Sequence, residues 1–193
     1  MALWDDLRDE VKTIINKSTL DAEIDLAMRQ AIRAAHKSGK YWRDLAEVSL
    51  TLPTTDVVQS VDLSTYAPNF RQTAYLKIAD QDIYYSPVQI DDLVDADGFV
   101  RANVYWGLGA SLKIRGESPV EQMKLCYYRY PIVSPLASMD SWIADQHRDL
   151  IVAWTASTIL GMIGEQEIKG RMDTLAAIAF ADLQQDNLEI HGR

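Results

Sequence analysis

The chain has 193 residues and carries 19 Lys and Arg against 28 Asp and Glu, which gives a formal net charge of −9. This length favours one domain, or one domain with an insertion, and 48% hydrophobic with 24% charged residues is typical of a globular rather than a disordered protein. A single cysteine excludes an internal disulfide framework and a multi-cysteine zinc site, and the acidic balance argues against tight binding to DNA phosphates.

Proline and tyrosine divide the chain into three stretches. All six prolines lie between Pro53 and Pro135, and because proline disrupts helix interiors, we expect long helices only outside that stretch. Eight of the nine tyrosines lie between Tyr66 and Tyr130, as β-propensity favours. We therefore predict helical ends around a β-rich middle.

Two helices are predicted in the N-terminal segment, residues 1–47. Apolar residues recur every three or four positions from Leu3 to Ile15, and a second periodic run begins at Leu20 and stops at Gly39. The second helix leads into a basic stretch, which consists of Arg29, Arg33, Lys37, Lys40 and Arg43. These cations suit the negative end of a helix dipole, an interpretation that we favour over contact with phosphate.

The middle segment, residues 48–135, is predicted to be an inserted β subdomain. Alternating runs rich in β-branched and aromatic residues predict antiparallel strands, which lie at 48–52, 75–78, 100–106, 111–114 and 120–130. In the last and longest of these, Met123, Leu125 and Tyr127 are expected to face one side of the sheet. A short helix is predicted at 87–94.

Helical periodicity returns in residues 136–183. A long helix capped by Asp140 or Ser141 is followed by a last amphipathic helix that ends at Leu183, and residues 184–193 form a polar tail. The predicted fold is therefore α+β. Its core is a mainly helical four-helix bundle, built from two N-terminal and two C-terminal helices, with an inserted antiparallel β subdomain.

Two short motifs resemble ligand-binding loops without meeting their requirements. The acidic run at 95–98 (Asp-Ala-Asp-Gly) suggests a calcium loop, but the alignment places Leu93 and Val104 at ligand positions, so we interpret it as a hairpin turn. The run at 107–109 (Gly-Leu-Gly) follows a strand, as a dinucleotide loop would. Its third glycine position holds Leu112, and a β-hairpin turn is therefore predicted.

Histidine and cysteine supply the remaining candidates for catalysis. His36, His147 and His191 share no metal-ligand spacing and lie on different predicted elements. His147 has acidic neighbours and is a candidate general base, although a solvated or ion-paired role is more common on a charged helix face. Cys126, within an aromatic strand, is typical of a buried small hydrophobe. We predict that the chain is not an enzyme and that it holds no cofactor or metal.

Membrane insertion and export signals are not expected from the sequence. No apolar run reaches the roughly 18 residues that a membrane-spanning helix needs. The chain begins Met-Ala-Leu-Trp-Asp-Asp, whereas a secretory signal needs a basic region followed by an apolar stretch. We predict a soluble protein of a reducing compartment.

The order of the predicted elements is informative as a whole. A short acidic helix is followed by a helix that opens at Leu20-Asp21, by an aromatic exit at 42–45 (Trp-Arg-Asp-Leu) and by a β insertion that ends at 125–131 (Leu-Cys-Tyr-Tyr-Arg-Tyr-Pro). A long alanine-bearing helix then opens at Trp142-Ile143, before a final amphipathic helix. Over nearly the full length, this order resembles the head-to-tail adaptor (connector) proteins of tailed bacteriophages.

The resemblance implies a structural role in the virion. Members of this family form a ring, usually dodecameric, beneath the portal protein, where it extends the DNA channel and docks tail or nozzle proteins. The expected partners are therefore the portal protein, tail or nozzle proteins and further copies of the chain at the virion neck, with non-specific passage of DNA and no membrane. Because the C-terminal segment commonly reaches the portal, the resemblance implies portal contacts from Gln184, Gln185, Asn187, Leu188, Ile190 and Arg193.

Two alternatives remain open from the sequence. One is a small phage or bacterial accessory enzyme with a site near His147, which predicts an activity that His147→Ala abolishes while fold and assembly survive. The other is a ring-forming tail-completion protein, which differs from an adaptor only in its position along the virion.

Overall fold

A computed structural model describes residues 3–53, 56–94, 99–134 and 139–191, with the backbone alone for 189–191. The chain divides into two compact units, one formed by Met1–Asp44 with Tyr130–Arg193 and the other by Leu45–Arg129. We call them the helical unit and the sheet unit. Each has a hydrophobic core of its own.

The part of the chain that the structure describes forms six helices. They are α1 (Leu3–Ile15), α2 (Asp21–Lys37), α3 (Leu63–Tyr66), α4 (Trp142–Gln146), α5 (Arg148–Ile163) and α6 (Gln166–His191). The single-turn α3 belongs to the sheet unit and the others to the helical unit. A 3-10 turn, Trp42–Asp44, follows α2.

Helix α5 lies at the centre of the helical unit. It packs against α1, α2, α4 and α6, and nine of its residues are buried, which are Leu150, Ile151, Val152, Ala153, Thr155, Ala156, Ser157, Ile159 and Leu160. Because these residues surround the helix, α5 is apolar on nearly every side, as expected for a helix with neighbours all around it. The amphipathic helices α1 and α2 each bury a single face against it.

Local chemistry sets the ends of these helices. Asn16 ends α1 with a positive φ of 51°, and Gly164 ends α5 in the left-handed conformation with φ 85°. Beyond Gly164, the N–H of Glu165 donates to the Leu160 carbonyl at 3.0 Å, which satisfies a carbonyl of the last turn. Ser141 caps α4 by accepting a hydrogen bond from the N–H of Ala144.

The sheet unit contains a seven-stranded, curled sheet in the form of a half-barrel. Its strands are β1 (Leu45–Thr51), β2 (Val58–Asp62), β3 (Phe70–Ile78), β4 (Tyr84–Pro87), β5 (Val104–Leu108), β6 (Ser111–Arg115) and β7 (Gln122–Arg129). They follow the order β1-β7-β3-β4-β5-β6-β2, and every pairing is antiparallel except that of β4 with β5.

Strand β7 lies between β1 and β3 and supplies much of the core of the sheet unit. Met123, Leu125 and Tyr127 are buried in that core, so the predicted facing of this strand is confirmed. The hairpin predicted at 107–109 is also confirmed, because β5 and β6 pair antiparallel around Gly109, whose φ is 61°.

The prediction of a mainly helical four-helix bundle core with an inserted antiparallel β subdomain is wrong. The sheet is mixed and has its own core, and the helical unit is arranged around α5 instead of as four equivalent neighbours. Periodicity identifies which face of a helix is apolar, but it does not identify the element that covers that face.

Several local predictions also need correction. The predicted long C-terminal helix is divided at His147 into α4 and α5, and the last helix continues through His191 instead of ending at Leu183. The helix predicted at 87–94 is only a 3-10 turn at Ile90–Asp92. Strands β2 and β4 were not predicted. The acidic run at 95–98 lies outside the described residues.

Candidate functional site

A chain of hydrogen bonds links buried polar side chains at the end of α2. His36 is 1% exposed, and its Nδ1 lies 2.9 and 3.0 Å from the two carboxylate oxygens of Asp44. On the opposite side of the ring, Nε2 lies 3.0 Å from Oγ of Ser141. The indole Nε1 of Trp142 donates to Oδ1 of Asp44 at 2.8 Å. We call these four residues the His36 cluster.

The order of groups in the His36 cluster is that of a serine-hydrolase triad. The Asp44 carboxylate accepts from Nδ1–H, and in the neutral imidazole Nε2 then accepts the hydroxyl proton of Ser141. A nucleophile also needs room for a substrate, yet Ser141 is 6% exposed and lines none of the three cavities described below. Its Oγ also accepts from the N–H of Ala144 at 3.1 Å. The cluster is therefore suited to holding α2, the 3-10 turn and α4 together.

Sequence reasoning missed the His36 cluster because its members are distant along the chain. His36 and Ser141 are 105 positions apart, so no spacing motif connects them. The available signal was the position of His36 four residues after Ile32, on the apolar face of α2. A polar side chain buried on such a face needs a hydrogen-bond partner.

His147, the candidate general base, borders a small cavity in the helical unit. Its Nε2 lies 3.4 Å from Oδ2 of Asp186 on α6, and its ring meets the edge of Trp142 with 5.8 Å between ring centres. The cavity has a volume of about 150 Å³ and is lined by Tyr41, Trp42, Arg43, Trp142, Gln146, His147, Asp186 and Asn187. Pockets for organic ligands usually measure about 300–1,000 Å³. This cavity therefore has room for a few waters or a very small group.

Arg43 borders the same cavity and is held by aromatic rings. Its guanidinium lies 5.3 Å from the ring centre of Trp42 and 5.2 Å from that of Trp142, and it donates to Oε1 of Gln146. Cation–π contacts of this kind stabilise a partly desolvated cation. One member of the basic stretch is therefore engaged within the helical unit.

The six residues implied as portal contacts fall in the last turns of α6 or beyond it. Gln184 donates to the hydroxyl of Tyr41 at 3.0 Å, and Oδ1 of Asn187 is buried and has no hydrogen-bond partner within the described residues. Gln185 and Leu188 are exposed, Leu188 by 70%. Ile190 belongs to α6, and Arg193 lies outside the described residues. Residues 184–191 are thus the end of a helix and not a separate tail.

An apolar groove of about 310 Å³ runs between α1, α5 and α6. Its lining residues are Ile14, Asp149, Val152, Ala153, Met172, Leu175, Ile178, Ala179 and Asp182. We call it the α6 groove. Leu175 and Ile178 are 52% and 57% exposed, and the carboxylates of Asp149 and Asp182 are also at the surface. The α6 groove therefore combines accessible apolar side chains with negative charge.

A third cavity, of about 560 Å³, lies in the sheet unit. It is lined by Ile78, Ala79, Asp80, Gln81, Ile83, Tyr85, Asn103, Glu117, Ser118, Pro119, Val120, Glu121 and Gln122. Although three of these residues are acidic, no group of three or more His, Cys, Asp or Glu side chains in the described part of the chain is arranged to hold a metal ion.

Cys126 lies within β7 and is buried. Burial raises the pKa of its thiol, so the reactive thiolate is disfavoured near neutral pH. The prediction that Cys126 is a small buried hydrophobe is confirmed.

Comparisons with other proteins leave the geometry as the principal evidence on function. The sequence matches no protein-family model, and no curated protein resembles it closely enough to count as a relative. Across residues 3–53, 56–94, 99–134 and 139–191, no helix combines the length and apolar character that crossing a membrane requires.

Proposed function

We propose that this chain is a structural adaptor of a tailed-phage virion. It forms a ring beneath the portal protein, extends the DNA channel and docks tail or nozzle proteins at the neck of the particle. The adaptor role is what the order of the elements implies by resemblance, and the structural observation that supports it is the α6 groove together with the exposed apolar residues of α6. Contiguous exposed apolar surface commonly marks a site of protein–protein contact.

The exposed apolar residues of α6 lie at two places along the helix, Leu175 and Ile178 in the α6 groove and Leu188 near the end of the helix. Leu175 and Ile178 lie about one turn apart, and Leu188 lies about 15 Å beyond Ile178. Burying a leucine or isoleucine side chain stabilises a complex by about 1.5–3 kcal/mol before association costs. A few such residues are therefore enough to contribute substantially to an interface.

A catalytic role for His36 or His147 is less well supported than protein docking at α6. Ser141 of the His36 cluster has no adjoining space for a substrate among the cavities described above, and the His147 cavity is small for most metabolites. The net charge of −9 also suits a structural role around DNA, because an acidic surface repels phosphates and lets DNA pass without adhering.

The test is co-purification with the portal protein encoded in the same genome. We expect wild-type protein to be retained by the portal and Leu188→Glu to be lost, because the substitution places a charge in an interface core. Leu108→Glu is the matched control, since Leu108 is 55% exposed but lies in β5 of the sheet unit. Equal retention of wild type and Leu188→Glu would contradict a contact at the end of α6. Failure of wild type to bind would contradict the adaptor role.

An enzymatic function is the second candidate, and the His147–Asp186 pair beside a cavity is the observation that favours it. In that case His147→Ala abolishes an activity and leaves portal binding intact. A tail-completion protein, the remaining alternative, binds tail components and not the portal in the same co-purification.

A further inference from the structure

One face of α2 is exposed and basic. Leu26, Arg33 and Lys37 lie at intervals of seven and four residues, which places them on the same side of the helix, and all three are exposed, Leu26 by 57%. We call them the basic face of α2. From Leu26 to Lys37 the sequence contains no Asp or Glu, so the positive charge of α2 lies on the C-terminal side of the exposed Leu26 side chain.

The α6 groove is acidic, whereas the basic face of α2 is positively charged, and the two surfaces are similar in length. It presents the apolar side chains of Leu175 and Ile178 together with the carboxylates of Asp149 and Asp182, and from Leu175 to His191 helix α6 contains acidic residues but no Lys or Arg. Leu26 to Lys37 spans about 16 Å of helix, and Met172 to Asp182 spans about 15 Å. The two surfaces are therefore complementary in charge, in apolar content and in length.

We propose that the α6 groove of one copy receives the basic face of α2 from a second copy of this chain. Leu26 packs between Leu175 and Ile178, and the cations of α2 face the two carboxylates of the groove. Because Leu26, Leu175 and Ile178 are each more than half exposed, the two surfaces do not cover each other within one chain.

This contact is heterologous, since it joins two different surfaces. Each copy that uses its α6 groove still presents its basic face to another copy, so the contact propagates and closes into a ring where the rotation allows. The inference rests on the proposed function to the extent that it identifies the self-association on which a ring depends.

Charge reversal provides a test with an internal control. One variant combines Arg33→Glu with Lys37→Glu, and the other combines Asp149→Lys with Asp182→Lys. In each variant the two surfaces carry the same sign, and like charges placed opposite each other weaken association. By sedimentation velocity, we expect wild type to self-associate with increasing concentration and each variant to do so at least about tenfold more weakly.

Mixing the two variants separates a lost contact from a lost fold. In an equimolar mixture, each acidic surface meets a basic one on the other variant, so association is expected to return to the wild-type level. The chain that carries all four substitutions restores complementarity and the net charge of −9, and it is expected to associate alone. Circular dichroism confirms the fold of each variant.

Three results would overturn the inference. The first is that wild type stays monomeric as its concentration rises. The second is that a charge-reversed variant associates as strongly as wild type, and the third is that the two variants do not associate when they are mixed.

The failure of this contact and the failure of the proposed function give different results. Recovery in the mixture without portal binding by wild type would refute the adaptor role and leave the contact standing. Portal rings decorated equally by wild type and by an unmixed reversed variant would refute the contact alone.

Discussion

At the scale of single residues, the His36 cluster is expected to have a large effect on stability. Asp44 accepts hydrogen bonds from both His36 and Trp142, and His36 and Asp44 are almost fully buried. Inside a protein, an unpaired polar group costs more than the net gain from its hydrogen bond, since neither water nor another side chain replaces the lost partner. The cluster therefore stabilises the helical unit only as long as it is complete.

Replacing Asp44 with alanine is expected to lower the free energy of unfolding by about 3 kcal/mol, because the buried His36 ring and the partly buried Trp142 indole lose their acceptor. Urea denaturation followed by circular dichroism measures the change. Asp82→Ala is the control, since the side chain of Asp82 is 94% exposed, and it is expected to have no measurable effect. A small effect of Asp44→Ala would show that the cluster is not structural.

Glu47 predicts a pH dependence within the sheet unit. Its pKa lies below the usual range, because Tyr75 donates a hydrogen bond to the carboxylate at 2.7 Å and Lys124 lies 3.1 Å away. A carboxyl whose pKa is lower in the folded state stabilises the fold above its unfolded pKa, and this contribution is lost as the pH falls through the folded pKa.

Glu47→Gln is therefore expected to be less stable than wild type at pH 7, and the difference is expected to shrink and disappear as the pH falls through the lowered pKa of Glu47. The urea midpoint, measured for both proteins as the pH is lowered, checks this expectation. Tyr75→Phe removes the hydroxyl that lowers the pKa of Glu47 and is expected to reproduce part of the effect. A gap between wild type and Glu47→Gln that persists at low pH would rule out the titration as its cause.

At the scale of elements, two glycines of the helical unit have opposite roles. Gly164 ends α5 with φ 85°, a conformation that side chains with a Cβ atom adopt only with strain. Gly170 lies within α6, where glycine is a poor helix former. An added Cβ would meet nothing within 4 Å at either position, so the backbone alone determines the result.

Gly164→Ala is expected to lower the free energy of unfolding by about 1 kcal/mol, and Gly170→Ala is expected to raise it by about 0.5–1 kcal/mol. The thermal midpoints of the two variants, compared with that of wild type, measure both effects. Changes of the same sign would contradict the assignment of the left-handed end of α5.

Element types were predictable where periodicity is clear, as in α1, α2 and β7, but partners were not. Strand β2 was not predicted because its first two residues depart from the usual alternation of buried apolar and exposed polar side chains. Val58 is exposed, whereas Gln59 is buried and donates to the carbonyls of Pro53 and Val120. A buried glutamine held by long-range hydrogen bonds leaves no pattern in the sequence. The parallel pairing of β4 with β5 and the His36 cluster were also not predicted, because both join residues that are distant along the chain.

At the scale of the whole molecule, stability and docking depend on different residues. Each of the two hydrophobic cores is formed by the helices or strands of its own unit, and the polar side chains of the His36 cluster form hydrogen bonds with one another. The exposed apolar residues of α6 and the basic face of α2 add little to either core. Substitutions at these surface positions are therefore expected to change assembly with little effect on the fold.

The most direct measurement is negative-stain imaging of the chain co-expressed with the portal protein of its own genome. The proposal predicts a portal ring lengthened by one additional tier, which Leu188→Glu removes and Leu108→Glu retains. A bare portal ring, with the folded wild-type chain left unbound, would contradict the adaptor role.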